Sequence, residues 1–251
     1  MTTTHFAPGG YRFIPAVFQY SGGVVAEPGF TIERVRFHRA VPLADGFERI
    51  AGIIRGAGRP LTSFCACELR SPEPFSDAGF TAFNKVYVET LRKWGIYDGK
   101  TNPVARSNVC PEIGKPDGPS FHAFSYTVPE TRQNAPQSFV VAGSAECPEG
   151  KSNYKDHIIA PGDASTAGLK TKAQWVLREM ERRMSALGQG WANTTAAQAY
   201  TVHDLHPFLA SEIVKRGAVQ AGLTWHYCRP PVTGLDYEMD CRGIAHERVV
   251  E

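Results

Sequence analysis

From Asp163 to Gly188, apolar residues recur at three- and four-residue steps: Leu169, Ala173, Val176, Leu177, Met180, Met184 and Leu187. That spacing predicts an amphipathic helix, with Lys170, Lys172, Arg178, Glu181 and Arg182 on its opposite face. Gly188 and Gly190 stop it, and the Thr, Ala and Tyr of ANTTAAQAYTV then read as a strand. The first half repeats the order. Phe47, Ile50, Ile53 and Ile54 share one helical face, Gly56 and Gly58 end it, and LTSFCACEL follows as a strand. Overlaying one glycine turn on the other gives an internal period of about 130 residues. A second helix is predicted in each half, over about 80–94 and about 207–216. AVFQYSGGVV and SFVVAGSAEC, upstream of the long helices, read as buried strands leaving into loops.

Each half therefore reads ββαβαβ, an α+β unit whose sheet carries two helices on one face. The polar, proline-containing stretch VPETRQNAPQS, Val128 to Ser138, is the expected linker. It divides the chain into units 1–130 and 137–251. A sheet with helices on one side leaves its other face bare, to be covered by the sister unit or by another chain.

Composition narrows the partners. The 251 residues are 42% hydrophobic and 21% charged with a net charge of +2, and Lys and Arg are scattered, so no basic field for nucleic acid is expected. No apolar run reaches the roughly 18 residues of a membrane span, and MTTTHFAPGG lacks the order of a secretory signal, so no membrane partner and a cytoplasmic location are expected. The six cysteines are then expected to be free thiols, and none forms C-x-x-C. His203, Asp204, His206 and His226 supply metal-ligand types, but His206-Pro207 reads as a helix boundary and no fixed geometry follows, so no metal is expected.

The first half closes with FNKVYVETLRKWG, then NPVARSNVCPEI, then SFHAFSYTV. With Ala105-Arg106-Ser107 set between a helix containing Phe83-Asn84 and a terminal strand, this order resembles the closing half of RidA (YjgF) family domains. In the second half LDYEMDCRGIA resembles the family's closing Glu-x-Glu strand, with Glu238 and Asp240 in the acidic positions. The resemblance implies two chorismate-mutase-like domains in tandem, a homo-oligomer (a trimer in the family) and clefts between neighbouring domains. It also implies hydrolytic deamination of an imine or enamine, with the 2-aminomuconate deaminases of aromatic catabolism as family members acting on a conjugated diacid.

Carried over by position, Arg106 matches the arginine that grips a substrate carboxylate, Ser107 the residue after it and Asn84 the helix asparagine near the pocket. Glu238 matches the glutamate that handles water, and Tyr20, beside Ser21, lies in a loop that lines the pocket. Neither half holds a full set. The first places His122 about where the glutamate belongs, and the second places Leu223 or Thr224 where the arginine belongs. One composite cleft joining Arg106 to Glu238, with His122 as a second proton carrier, would reconcile the two.

The chemistry suits these residue types. Arginine's planar fork fixes a carboxylate through two hydrogen bonds, and a glutamate or histidine moves protons to and from water and amine. Neither metal nor organic cofactor is required. Other roles stay open: Arg106 as an interface arginine, Glu238 as a solvent-facing strand residue in register with Asp236 and Asp240, and His122, between Phe121 and Phe124, as a core histidine. Tyr20 could be a core tyrosine. The competing functions are a hydrolase or lyase acting on another conjugated acid of the chorismate type, and a non-catalytic small-acid-binding module.

Overall fold

The computed structural model describes residues 2–251. Strands β1 (Thr4–Phe6), β2 (Tyr11–Phe13), β3 (Gly23–Ala26) and β4 (Phe30–Pro42) lead into helix α1 (Leu43–Gly56). Strand β5 (Phe64–Arg70), helix α2 (Asp77–Lys93), β6 (Ala105–Pro111) and β7 (Ser120–Pro129) complete the first half. The second comprises β8 (Phe139–Ala145), helix α3 (Thr166–Ala186), β9 (Ala196–Tyr200), β10 (Leu223–His226), β11 (Cys228–Arg229), β12 (Glu238–Gly243) and β13 (His246–Val250).

The duplication is visible in the sheets. One contains the order β6-β5-β7-β4 and the other β10-β9-β12-β8, with β5–β6 and β9–β10 parallel and the neighbouring pairs antiparallel. Strand pairing nevertheless crosses the 128–138 linker at both ends of the chain. The hairpin β2–β3 and strand β1 extend the second-half sheet through β3 on β8, while the last strand, β13, runs parallel to β4 in the first-half sheet. Residues 4–26, assigned from sequence to the unit 1–130, thus fill the open edge that β8 would otherwise expose.

Two local expectations change. In AVFQYSGGVV only Gly23–Ala26 is strand. Ile14 and the Gly22–Gly23 pair exchange backbone hydrogen bonds of 2.9 Å, which closes a base and throws out Pro15–Ser21 as a loop. The helix expected over about 207–216 is one α-turn (His206–Phe208), a π-helical stretch (Leu209–Ile213) and a 3-10 turn (Val214–Arg216). Phe208 and Ile213 are both buried and five residues apart, a spacing that a π turn brings to one face. Gly217, at φ +88°, ends the segment.

Four layers result. α1 and α2 pack Phe47, Ile50, Ile54, Val88 and Leu91 on the first sheet, and α3 packs Leu169, Ala173, Val176, Met180 and Met184 on the second. The other faces of the two sheets meet, so the sister sheet covers what the sequence left bare. Their contact layer is small-residued at Ala66, Ala105 and Ala142 and apolar at Phe13, Val24 and Ile32. Lys172, read from sequence as part of the polar face of α3, is fully buried between Glu146 (3.3 Å) and Asp236 (2.6 Å).

The inter-sheet layer also holds charge. Arg34 donates from Nε to Glu68 at 2.6 Å and from Nη1 to Glu247 of β13 at 3.2 Å. Gln198 donates to Asp240 at 2.8 Å, as does the Tyr200 hydroxyl. Burial opposes ionisation of Glu68, but the Arg34 guanidinium outweighs it and holds Glu68 well below the usual carboxylate range. Removing one partner of such a pair strands the other charge. Arg34→Met should therefore cost about 3–5 kcal/mol in urea denaturation, with part of the loss recovered in Arg34→Met/Glu68→Leu; an unchanged single variant would show that the pair holds nothing.

Candidate active site

The outer side of β6 is paired only at its two ends, by Ser21 at Ala105 and by β11 at Cys110 and Pro111. A cavity of about 160 Å³ opens where this edge faces the C-terminal end of β8 and the start of β12. Arg106 and Asn108 of β6, Gly143 and Ser144 of β8, and Glu238 of β12 all line it. So does Tyr20, whose loop is fixed to the start of β6 by the Ser21 N–H donating to Val104 O at 2.9 Å and the Ser21 hydroxyl to Pro103 O at 3.0 Å. The two candidates contributed by different halves, Arg106 and Glu238, therefore share one cleft.

Arg106 is only 3% exposed. Its guanidinium carbon sits 4.8 Å from the ring centre of Tyr87, 5.5 Å from that of Tyr20 and 5.7 Å from those of Phe80 and Phe83. Aromatic faces stabilise a cation but accept few hydrogen bonds. Its Nη1 is buried without a hydrogen-bond partner, a state that costs stability unless a ligand supplies an acceptor. Asn108 repeats the pattern two residues on. Its Oδ1 accepts from the Ser71 hydroxyl at 2.9 Å, which orients the amide, and its Nδ2 is left without a partner. The Ser144 hydroxyl is likewise buried and unpaired. Three polar groups around one cavity thus lack the partners that an acid-bearing ligand carries.

Glu238 supplies the opposite character. Burial, then the nearby carboxylates Asp240 and Glu146, push its pKa well above the ordinary value, against the weaker pull of Arg70 and Arg106. Burial thus favours the neutral acid over the ionised form that a solvated glutamate takes. Its approach is fixed by its neighbours: Glu146 accepts from the backbone N–H of Asp236 (2.6 Å) and Tyr237 (3.1 Å), just before β12 begins. Arg183 of α3 ties the other wall, donating to the carbonyls of Ala142 (3.1 Å) and Gly143 (3.4 Å) and pairing with Glu149 (2.8 Å). The loop after β8 roofs the cleft with Lys151 and Tyr154, and the Tyr154 N–H is held by Asp77 at the start of α2 (3.1 Å).

The remaining candidates lie elsewhere. Ser107 faces the inter-sheet layer beside Asp240, as alternation along β6 requires. Asn84 is buried in α2, donating to Phe80 O at 2.6 Å, and does not line the cleft. His122 borders a separate cavity. Pairing passes from Glu68↔Ala123 to Leu69↔Phe121, so His122 is the extra residue of a β-bulge and Ser120 takes the register position of Glu238. His203 pairs with Asp236 and His206 with Asp204; among the described residues no group of three or more His, Cys, Asp or Glu side chains is arranged to hold a metal ion. The six cysteines are free and buried. Among the described residues no helix is long and apolar enough to cross a membrane.

Asn108 was legible in principle, since period-two alternation places it on the face of Arg106. Ser144 and the roof residues carry no motif that would single them out.

Comparison with known proteins shows the family to which the chain belongs. The model of the 2-aminomuconate deaminase family CnbZ matches residues 3–248. A 2-amino-5-chloromuconate deaminase from Comamonas testosteroni is 54% identical over 245 residues, spanning 98% of both chains. A chorismatase crystal structure superposes with a TM-score of 0.52 at 11% identity, over 89% of this chain and 77% of that one. The YjgF gene product of E. coli aligns with 47% of this chain and 88% of its own at 12% identity and a TM-score of 0.32. The chain belongs to the CnbZ family of 2-aminomuconate deaminases, enzymes that release ammonia from an aminomuconate.

Gly143 makes the cleft possible. A Cβ there would strike Glu238 Oε1 and lie 2.9 Å from Ser107 Cβ, although the residue's backbone needs no special φ. Gly143→Ala should displace the carboxyl and lower kcat/KM by about 10²-fold, the scale of a one-ångström misplacement. Steady-state ammonia release would measure it, and an unimpaired variant would remove Glu238 from the chemistry.

Proposed function

We propose that this cleft hydrolyses an aminomuconate with Arg106 as the carboxylate anchor and Glu238 as the proton carrier. The observation that carries the reading is the pairing, in one cavity, of a buried guanidinium lacking an acceptor with a carboxyl group kept neutral by burial. Arg106 and the Asn108 amide would hold the carboxylate next to the amine-bearing carbon, with Tyr20 stacked on the conjugated chain. Lys151 at the roof would face the distal carboxylate. Leu235 and Cys147 give the same cavity an apolar wall, which suits the 5-chloro substrate named for the Comamonas relative.

The enamine first takes the Glu238 proton at a chain carbon, and the nitrogen becomes an iminium. Water then adds to the amine-bearing carbon while ionised Glu238 accepts its proton. Glu238 returns that proton to nitrogen, and it recovers one from the new hydroxyl as the carbonyl forms, the C–N bond breaks and ammonia leaves. One residue thereby serves as acid and base in turn, and the sum is enamine plus water giving a 2-oxo acid and ammonia. The unpaired Ser144 hydroxyl on the cavity wall would orient that water. All of these residues belong to one chain, and the RidA resemblance implies a homo-oligomer of such chains.

Arg106→Ala should lower kcat/KM by about 10- to 100-fold, the scale of a lost charge-assisted hydrogen bond. Glu238→Gln should lower kcat by about 10²–10⁴-fold while still binding an unreactive conjugated diacid. Ammonia release and diene absorbance would follow both, and wild-type turnover in either would overturn the assignment.

The raised pKa of Glu238 fixes two pH dependences. Activity should fall as pH rises through that pKa, because the acid form starts the reaction. Stability should also fall with rising pH above the ordinary carboxyl range, because the folded chain retains a proton that the unfolded chain has released. Glu238→Gln should shallow that stability slope, without abolishing it, since burial raises Asp240 and Glu146 as well. Denaturation of both proteins across pH would test this, and an unchanged slope would contradict a protonated Glu238.

A further inference from the structure

The duplication places a second cleft at the position reached by exchanging the sheets, with β10 for β6, β7 for β12 and β4 for β8. A cavity of about 360 Å³ is present there, bordered by Ala40 of β4, His122 of β7, His226 of β10 and Arg70 at the end of β5. Strand register shows what became of the reactive pair. Cys67↔Arg106 corresponds to Ala197↔Leu223, and Tyr200↔Glu238 corresponds to Arg70↔Ser120, so leucine replaces the arginine and serine the glutamate.

A different cation occupies this cleft. Arg70 is 5% exposed; its Nη1 donates to Leu69 O at 2.9 Å and its Nη2 is buried without a hydrogen-bond partner. The nearest carboxylate oxygen, Glu68 Oε2, is 4.0 Å away, beyond hydrogen-bond reach, and Glu68 is engaged by Arg34 at 2.6 Å. The two imidazoles lie edge to face with ring centres 6.3 Å apart. Burial, reinforced by Arg70, lowers His122 to about 3 and His226 to about 4, so both are neutral at physiological pH. Gln198 Oε1 can only accept, so the 3.1 Å contact puts the His226 proton on Nε2. Around this floor, Ile113 and Tyr227 stand 82% and 52% exposed on the rim, an apolar exposure typical of a binding surface.

We propose that this second cleft binds a small aromatic or unsaturated carboxylate, with the acid group on Arg70 and the flat apolar body against Ile113 and Tyr227. With Ser120 in the glutamate's place it has no proton carrier equivalent to Glu238, and it binds without hydrolysing. The inference goes beyond the proposed function and draws on it only in the test, where Arg106→Ala removes the anchor of the first cleft.

Calorimetric titration of full-length Arg106→Ala protein with benzoate isolates the second cleft from the first. One benzoate per chain is expected, with affinity falling about tenfold or more in Arg106→Ala/Arg70→Gln, the scale of a lost charge-assisted contact. Ile113→Glu, on an exposed rim where folding is not at stake, should weaken benzoate comparably by charge repulsion and leave the deamination rate unchanged. If Arg70→Gln fails to fold, the Ile113→Glu result decides. Benzoate binding that survives the rim substitution, or no binding at millimolar benzoate in Arg106→Ala, would overturn the proposal.

Discussion

A sheet with helices on one face has another face to hide, and in this protein the two sheets hide each other. The rest of the structure follows from that arrangement. Ala66, Ala105 and Ala142 let the layers approach closely, and the polar side chains caught between them must satisfy one another. Arg34, Glu68, Gln198, Tyr200 and Asp240 do so through a chain of hydrogen bonds. Glu238 sits two residues along the same strand, so it shares the desolvation of that layer and opens onto the cleft. The property on which its proposed role rests, a carboxyl group whose burial favours the uncharged form, is thus a product of sheet packing.

The cleft forms where that packing stops. β6 has partners on its outer side only at its two ends, so Arg106 and Asn108 look across an open edge at the second sheet. The supports of the two walls are separate. Arg183 holds the end of β8, whereas Lys172 and Glu146 hold the entry to β12. Both buried cations lie on α3, so one helix fixes the second-half side of the site while α2 supplies the aromatic bed for Arg106 on the other.

Much of this was readable from the sequence because it depends on local pattern. The periodicity from Leu169 to Leu187 and the matching glycine turns specify the helices and the duplication, and the setting of Ala105-Arg106-Ser107 singles out the arginine. What escaped reading depends on partners distant in the chain. Lys172 sits where helical periodicity predicts solvent, and only Glu146 and Asp236, brought in from other segments, make its burial tolerable. His122 fell out of register through a bulge that its strand does not announce. The loop carrying Tyr20 reads as strand because its residues are apolar, yet a backbone closure at Ile14 expels it. Ser144 is legible only once both walls of the cleft are in place.

The exchange of terminal strands has a consequence during synthesis. β1 to β3 are made well before β8, the strand they join, and the outer edge of β4 waits for β13, which follows the other strands of the second half. A nascent first half therefore carries an unclaimed hairpin and an uncovered edge together, and neither is relieved by waiting. The first-half sheet cannot be completed until the second half has been made, so the early strands must stay unaggregated on the strength of their own short length and flanking charge.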